Sequence, residues 1–286
     1  MERLRAEKIL TNITGKDHLV IDIKSVSGGD ISDSWAIETD EENLFLKKNS
    51  MENKHLGDAE WEGLKELYKC KSIRTPKCYG TIEMDHHAYL LLEHLDLRAH
   101  SNESMSQLGA NLAKMHKMTS QRFGFHENNY IGSTPQINNW CDSWIDFYRD
   151  ARLIPQAYML GKADIETQSE LLASKLESFF SDYEPVPSLL HGDLWSGNTA
   201  ALTDGTPVIY DPAVYYGDRE TDIAMTEMFG GFSPEFYKAY NEEWPLSPGY
   251  SKRKNLYILY HSLNHANMFG GSYINQSRHL LKLLCS

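Results

Sequence analysis

Apolar and polar residues alternate from Leu19 to Lys24, with Leu19, Ile21 and Ile23 on one side and Val20, Asp22 and Lys24 on the other. A period of two predicts a strand. It runs into Ser25, Val26, Ser27, Gly28, Gly29 and Asp30, and a second strand is predicted through Ile31, Trp35 and Ile37, with the glycine pair at the hairpin tip. Leu44 to Lys47 reads as a third, short strand. Between these and the apolar run His87–Glu93, which predicts a buried strand, Glu60 opens a stretch where Trp61, Leu64, Leu67 and Tyr68 recur at helical spacing.

Beyond Leu95 the dominant period becomes helical. Ser104 with Gln107 has the form of a capping box, and Met105, Leu108, Leu112 and Met115 then predict a helix ending near His116. Ile165, Leu172, Leu176, Phe179 and Phe180 form a second stripe, and Leu256, Leu259, Tyr260 and Leu263 a third. Leu189–Leu190 and Pro207–Tyr210 are short strands, the latter following a turn at Asp204–Gly205. The fold class is therefore α+β in two lobes: a small antiparallel-sheet lobe over 1–95 and a mainly helical lobe over 96–286, a length that suits two lobes.

Candidate chemistry concentrates in His191, Gly192, Asp193, Leu194, Trp195, Ser196, Gly197 and Asn198, followed by Asp211 at the end of an apolar strand. A lone His-Gly-Asp is an ordinary turn. Here the offsets match phosphoryl-transfer enzymes, in which an aspartate accepts the proton of the attacking hydroxyl and a following asparagine and a second aspartate hold magnesium. Asp193, Asn198 and Asp211 occupy those places, and an amide oxygen with a carboxylate suits a hard cation such as Mg²⁺. Lys47, at a strand end, is placed to hold the α- and β-phosphates of ATP, and Glu60 could orient it, in competition with Glu52, Asp58 and Glu62. Gly28 and Gly29 would let backbone N–H groups approach phosphate oxygens. Main-chain groups of Glu93, His94 and Leu95 would meet the adenine edge. Soon after Asp211 and Pro212 the chain reaches Asp218, Arg219, Glu220, Thr221 and Asp222 in a predicted helix, which leaves little room for a long activation loop and favours a small-molecule acceptor over a protein-kinase substrate.

The net charge of −12 argues against a nucleic-acid partner, which requires clustered Lys and Arg. An acidic face could attract an amine-bearing substrate. Residues 1–10 carry no apolar leader core and no stretch approaches membrane-spanning length, so a cytoplasmic protein with no membrane association is expected. Cys70, Cys78, Cys141 and Cys285 lack CxxC spacing and are expected to be free thiols. The adjacent His86 and His87 have no third ligand at useful spacing and read as a solvated hairpin turn.

The segments LHGDLWSGN, DPAVYYGDRETDIAMTEMFGGF and LYILYHSLNHANMFG, with the blocks Phe123–Gly132 and Trp140–Tyr148, together resemble the fructosamine kinase (ketosamine-3-kinase) family over most of the chain. HGDxxxxN is shared with aminoglycoside and choline phosphotransferases, whereas the tryptophan after HGDL, YYGDRE and the C-terminal LNH are more specific. The resemblance implies a protein-kinase-like fold and transfer of the ATP γ-phosphate to the C3 hydroxyl of a small-molecule or protein-attached ketosamine, which makes the adduct fall apart. It implies Asp193 as base, Asn198 and Asp211 as magnesium ligands, Lys47 with Glu60 as the phosphate-positioning pair, and Trp195 and His265 near the sugar. One departure is Asp30 after Gly28 and Gly29, where some relatives carry a redox-sensitive cysteine. An aminoglycoside- or choline-type kinase would use the same triad, and a catalytically dead nucleotide-binding module usually lacks one of its members.

Overall fold

The computed structural model describes residues 1–26 and 33–286. Its first part is helix α1 (Arg3–Thr14), strands β1 (Val20–Val26), β2 (Asp33–Thr39) and β3 (Asn43–Ser50), helix α2 (Lys54–Cys70), and strands β4 (Cys78–Met84) and β5 (His87–Glu93). The strands form one antiparallel sheet in the order β1-β2-β3-β5-β4. Lys47 lies on β3 opposite Ser34 and Leu90, near the middle of the sheet. The turn between β4 and β5 places Asp85 and His86 at positive φ, a hairpin as expected.

Two expectations need correction here. The register slips between Val20 and Asp22: before the slip Val20 is buried while Leu19 and Ile21 face solvent, whereas beyond it Ile23 packs against the sheet's core, as the alternation implies. Helix α2 begins at Lys54, six residues before Glu60, and buries Gly57, Gly63, Leu64 and Leu67 while Tyr68 is 65% exposed. Leu64 packs on Leu90 and Leu92, which anchors α2 and its glutamate to the sheet. Gly28, Gly29 and Ile31 lie outside the described residues.

From Ser101 on, the structure is mainly helical: α3 (Asn102–His116), a hairpin of β6 (Asn129–Ile131) and β7 (Thr134–Gln136), α4 (Trp144–Tyr148), a π-helical turn, α5 (Ile154–Met159) and α6 (Ala163–Ala173). Then come β8 (Ser188–Leu190), β9 (Thr199–Ala201), β10 (Pro207–Ile209), β11 (Tyr215–Gly217), α7 (Glu220–Met228), α8 (Pro234–Glu243), α9 (Tyr250–Phe269) and α10 (Ser272–Cys285). The capping box of α3 is Ser101 with Ser104, not Ser104 with Gln107: each serine hydroxyl accepts from the other's backbone N–H. The stripe from Ile165 to Phe180 is not one helix either, since α6 ends at Ala173 and Leu176–Phe179 form a separate 3₁₀ turn. One core joins α3, α4, α7, α8 and α9, and Arg253 and Glu220 pair inside it at 2.7 and 3.0 Å. Among the described residues no helix is long and apolar enough to cross a membrane, and the cysteines are free.

His261 on α9 is fully buried, with neither ring nitrogen hydrogen-bonded among the described residues. Burial drives its pKa down to about 3, with His265 acting in the same direction. A folded-state value below the unfolded value of about 6.5 means stability present above that pH and lost as pH falls toward 3. Between pH 6.5 and 5 this one ring is expected to cost about 2 kcal/mol. Burial lowers His116 and His191 as well, so they add loss in the same window. Urea unfolding at the two pH values checks this: His261→Leu should show the shallower pH dependence, and an unchanged slope would refute the assignment.

Candidate active site

The loop between β8 and β9 is held by its neighbours more than by its own sequence. Asp222, on α7, accepts from the backbone N–H of His191 at 2.7 Å and of Gly192 at 2.9 Å, and contacts His116 Nε2 at 3.1 Å. Burial opposes its ionisation, but these bonds hold its carboxyl below the usual range. The His191 ring accepts from the Asp193 N–H through Nδ1 and donates through Nε2 to the Tyr210 carbonyl at 3.0 Å, tying the loop to the strand before Asp211. Gly192 has φ +83° and lies so close to Ala213 that a Cβ would sit 2.0 Å from its carbonyl oxygen. Asp211 itself adopts φ +55°, uncommon for a non-glycine residue, and is framed by the Ala213 N–H···His191 O bond of 2.8 Å.

Asn198 Nδ2 donates to the Asp193 carbonyl at 2.9 Å and to its carboxylate at 3.2 Å. Lys47 Nζ lies 2.8 Å from both Glu60 oxygens and 2.5 Å from Asp211 Oδ1. Glu60, not Glu52, Asp58 or Glu62, is thus the partner of Lys47. Burial opposes the charge on Lys47, yet the Asp211 and Glu60 carboxylates outweigh it and raise its pKa. Burial lifts Glu60 to about 7 against the pull of Lys47. At Asp211 burial also acts upward, but the Lys47 ammonium prevails and holds the carboxyl below its ordinary value. Asp193 has no such cation: burial, then the Asp211 charge, push it up to about 7.

Lys47, Glu60, Glu93, Leu95, Asp193, Trp195, Asn198, Asp211 and His265 all line one cleft of about 1160 Å³. At its back, the Glu93 N–H is taken by the Lys77 carbonyl and the His94 N–H by that of Asn43, while the Leu95 N–H has no partner among the described residues. The Glu93 carboxylate faces away from any adenine role, bound by Arg74 and the Lys77 N–H. Opposite, Trp195 covers Gly197 and meets Phe229 edge to face, and Phe229 continues through His265 to Phe269 and Tyr273 as an aromatic wall. The His265 Nδ1 bonds the His261 carbonyl at 2.8 Å, so this half-buried histidine is held in one orientation. Sequence reading missed Asp222, His116 and the residues of that wall other than Trp195 and His265. The acidic cluster from Asp218 to Asp222 was the only signal for the first, and nothing in it singles out one carboxylate.

This arrangement is the cleft of a phosphotransferase with a protein-kinase-like fold. The structure superposes on aminoglycoside phosphotransferase APH(4)-Ia with a TM-score of 0.64 at 15% identity, covering 99% of this chain and 98% of that one. A Haemophilus somnus 129PT protein, provisionally described as a fructosamine-3-kinase, superposes with a TM-score of 0.89 at 29% identity over 98% and 96% of the two chains. The fructosamine kinase family model matches residues 4–286. A Synechocystis protein provisionally described as a ketoamine kinase is 42% identical over 96% of this chain and 93% of its own. The chloroplastic protein-ribulosamine 3-kinase of Arabidopsis thaliana is 40% identical over 93% and 83%. The chain belongs to the fructosamine kinase family, and is an ATP-using kinase with an alcohol acceptor.

Proposed function

We propose that this kinase phosphorylates the C3 hydroxyl of ketosamines, on small amines or on proteins, in deglycation. The observation that carries this reading is that Asp193 lines one cleft together with the Lys47–Asp211 pair and the aromatic wall, so that a nucleotide and a sugar can meet at one carboxylate. The names of the cyanobacterial and plant relatives support the acceptor class.

Asp193 takes the hydroxyl proton as the C3 oxygen bonds to the γ-phosphorus and the bond from that phosphorus to its bridging oxygen breaks, releasing ADP. A base with pKa near 7 suits proton transfer at neutral pH. Lys47, steadied by Glu60, holds phosphate oxygens; the Leu95 N–H and the Glu93 carbonyl meet the adenine edge; Trp195 and His265 border the sugar. Asn198 and Asp211 fit Mg²⁺: Asn198 spends its Nδ2 on Asp193 and keeps its amide oxygen for a cation, and Asp211 adds a carboxylate. Such an ion, when bound, neutralises phosphate charge. In this reading residues 1–95 form the nucleotide lobe and 96–286 the catalytic and substrate lobe. The assigned roles of Gly28 and Gly29 rest on sequence alone, and the free cysteines suit the cytoplasm.

The test is ADP release with Mg²⁺ against fructosyl-, ribulosyl- and erythrulosyl-lysine, with choline and an aminoglycoside as controls. Ketosamine-dependent turnover is expected. Turnover of a control alone would transfer the enzyme to another acceptor.

A further inference from the structure

Asn264 on α9 is fully buried yet lines the cleft beside His265, and its Nδ2 has no hydrogen-bond partner among the described residues. An unpaired buried amide donor is costly unless something else completes it. Its orientation is set by a relay. Asn267 Nδ2 donates to Gln156 Oε1 at 2.7 Å and to the Gln156 carbonyl at 2.9 Å, which fixes Gln156 with Nε2 toward Asn264. Gln156 Nε2 then meets Asn264 Oδ1 at 3.3 Å, and the Thr134 hydroxyl lies against the same oxygen. A flip of Asn264 would set two N–H₂ groups against each other, so Nδ2 is the atom it has to offer. Beside it the His265 Nδ1–H is spent on the His261 carbonyl, and burial keeps the ring neutral by lowering its pKa. That leaves His265 Nε2 as a lone-pair acceptor next to the Asn264 donor.

We propose that Asn264 is a specificity residue, donating its Nδ2–H to a hydroxyl of the sugar chain while His265 Nε2 accepts from another. The cleft wall so reads an open-chain polyol through adjacent hydroxyls, whereas Trp195 and Phe229 supply apolar contact. This rests on the ketosamine reading above. It accounts for a buried amide that packing alone leaves unsatisfied.

The test compares wild type, Asn264→Asp and Asn264→Ser on ribulosyl-lysine and on its analogues lacking one hydroxyl at a time. Wild type should lose roughly 10²-fold or more in kcat/KM on one analogue, because a site built to bond a hydroxyl rejects the compound without it. Both variants should lose a similar factor on the parent, turn over that analogue and the parent alike, and keep the KM for ATP within about twofold. Asn264→Ser, neutral and smaller, serves where a buried carboxylate prevents folding. An active wild type whose variants retain its selectivity, or lose ATP and ketosamine efficiency together with thermal midpoint, overturns the proposal and leaves Asn264 a packing residue. A wild type silent toward every ketosamine removes the functional reading, and this inference falls with it.

Discussion

Asp193→Asn is expected to slow phosphoryl transfer by about 10²–10⁴-fold while ATP affinity stays within a few-fold of wild type. The amide is nearly isosteric and can turn its oxygen toward Asn198 Nδ2, which lies 3.2 Å from the present carboxylate, so the loop keeps its shape. The second bond from Asn198, to the Asp193 carbonyl, is untouched by the change. What disappears is a lone pair that can take a proton near neutral pH. Lys47, Glu60 and the Leu95 N–H are unaltered, so the nucleotide keeps its contacts. Single-turnover phosphorylation with ribulosyl-lysine, alongside calorimetric ATP binding, separates the two effects. A rate above one-tenth of wild type would remove Asp193 from the role of base, and loss of ATP binding would show that the substitution disturbs the cleft itself.

How much of this was legible in the chain depends on whether the chemistry is local. Asp193, Asn198 and Asp211 could be read because a base and two oxygen ligands must come within a few ångströms of each other, which a short loop and hairpin achieve with a fixed spacing. Lys47 and Glu60 were legible as types, and only the packing of Leu64 against Leu90 and Leu92 selects Glu60 from its acidic neighbours. The start of α2 was not, because Lys54 to Ala59 offers a single large apolar residue, Leu56, to carry a period. The change of face within β1, Val20 inward before the slip and Ile23 after it, follows from a bulge that no alternation pattern records. Ser104 with Gln107 matched the familiar capping spacing, but Ser101 three residues earlier finds a serine hydroxyl to serve in place of the Gln. Asp222 and Asn264 act through residues distant in sequence, and among 40 acidic side chains one carboxylate carries no mark of its partners.

Asp222→Ala should produce a large loss of stability for a single change near the cleft, and the reason lies in how many donors converge on one carboxylate. Gly192 N–H meets Oδ1, while His191 N–H and the His116 ring meet Oδ2. All are buried, and orphaned buried donors cost about 1–3 kcal/mol each without adding simply. A total of about 3–5 kcal/mol is reasonable for removing one member of a buried charged cluster. At roughly 2–4 °C per kcal/mol the thermal midpoint should fall by about 10 °C. Asp222→Asn is no rescue, because both oxygens accept: whichever way the amide turns, an N–H₂ faces a backbone N–H, and well over half of the loss should remain. Tyr240→Phe removes only the 2.8 Å contact to His116 Nδ1 and the Arg219 bond to the same hydroxyl, so it should cost far less. Calorimetry on the three variants gives the ranking. A midpoint shift below about 3 °C for Asp222→Ala would mean the catalytic loop holds its backbone without this carboxylate, and that the order around Asp193 comes from the His191 ring and the Gly192–Ala213 contact instead.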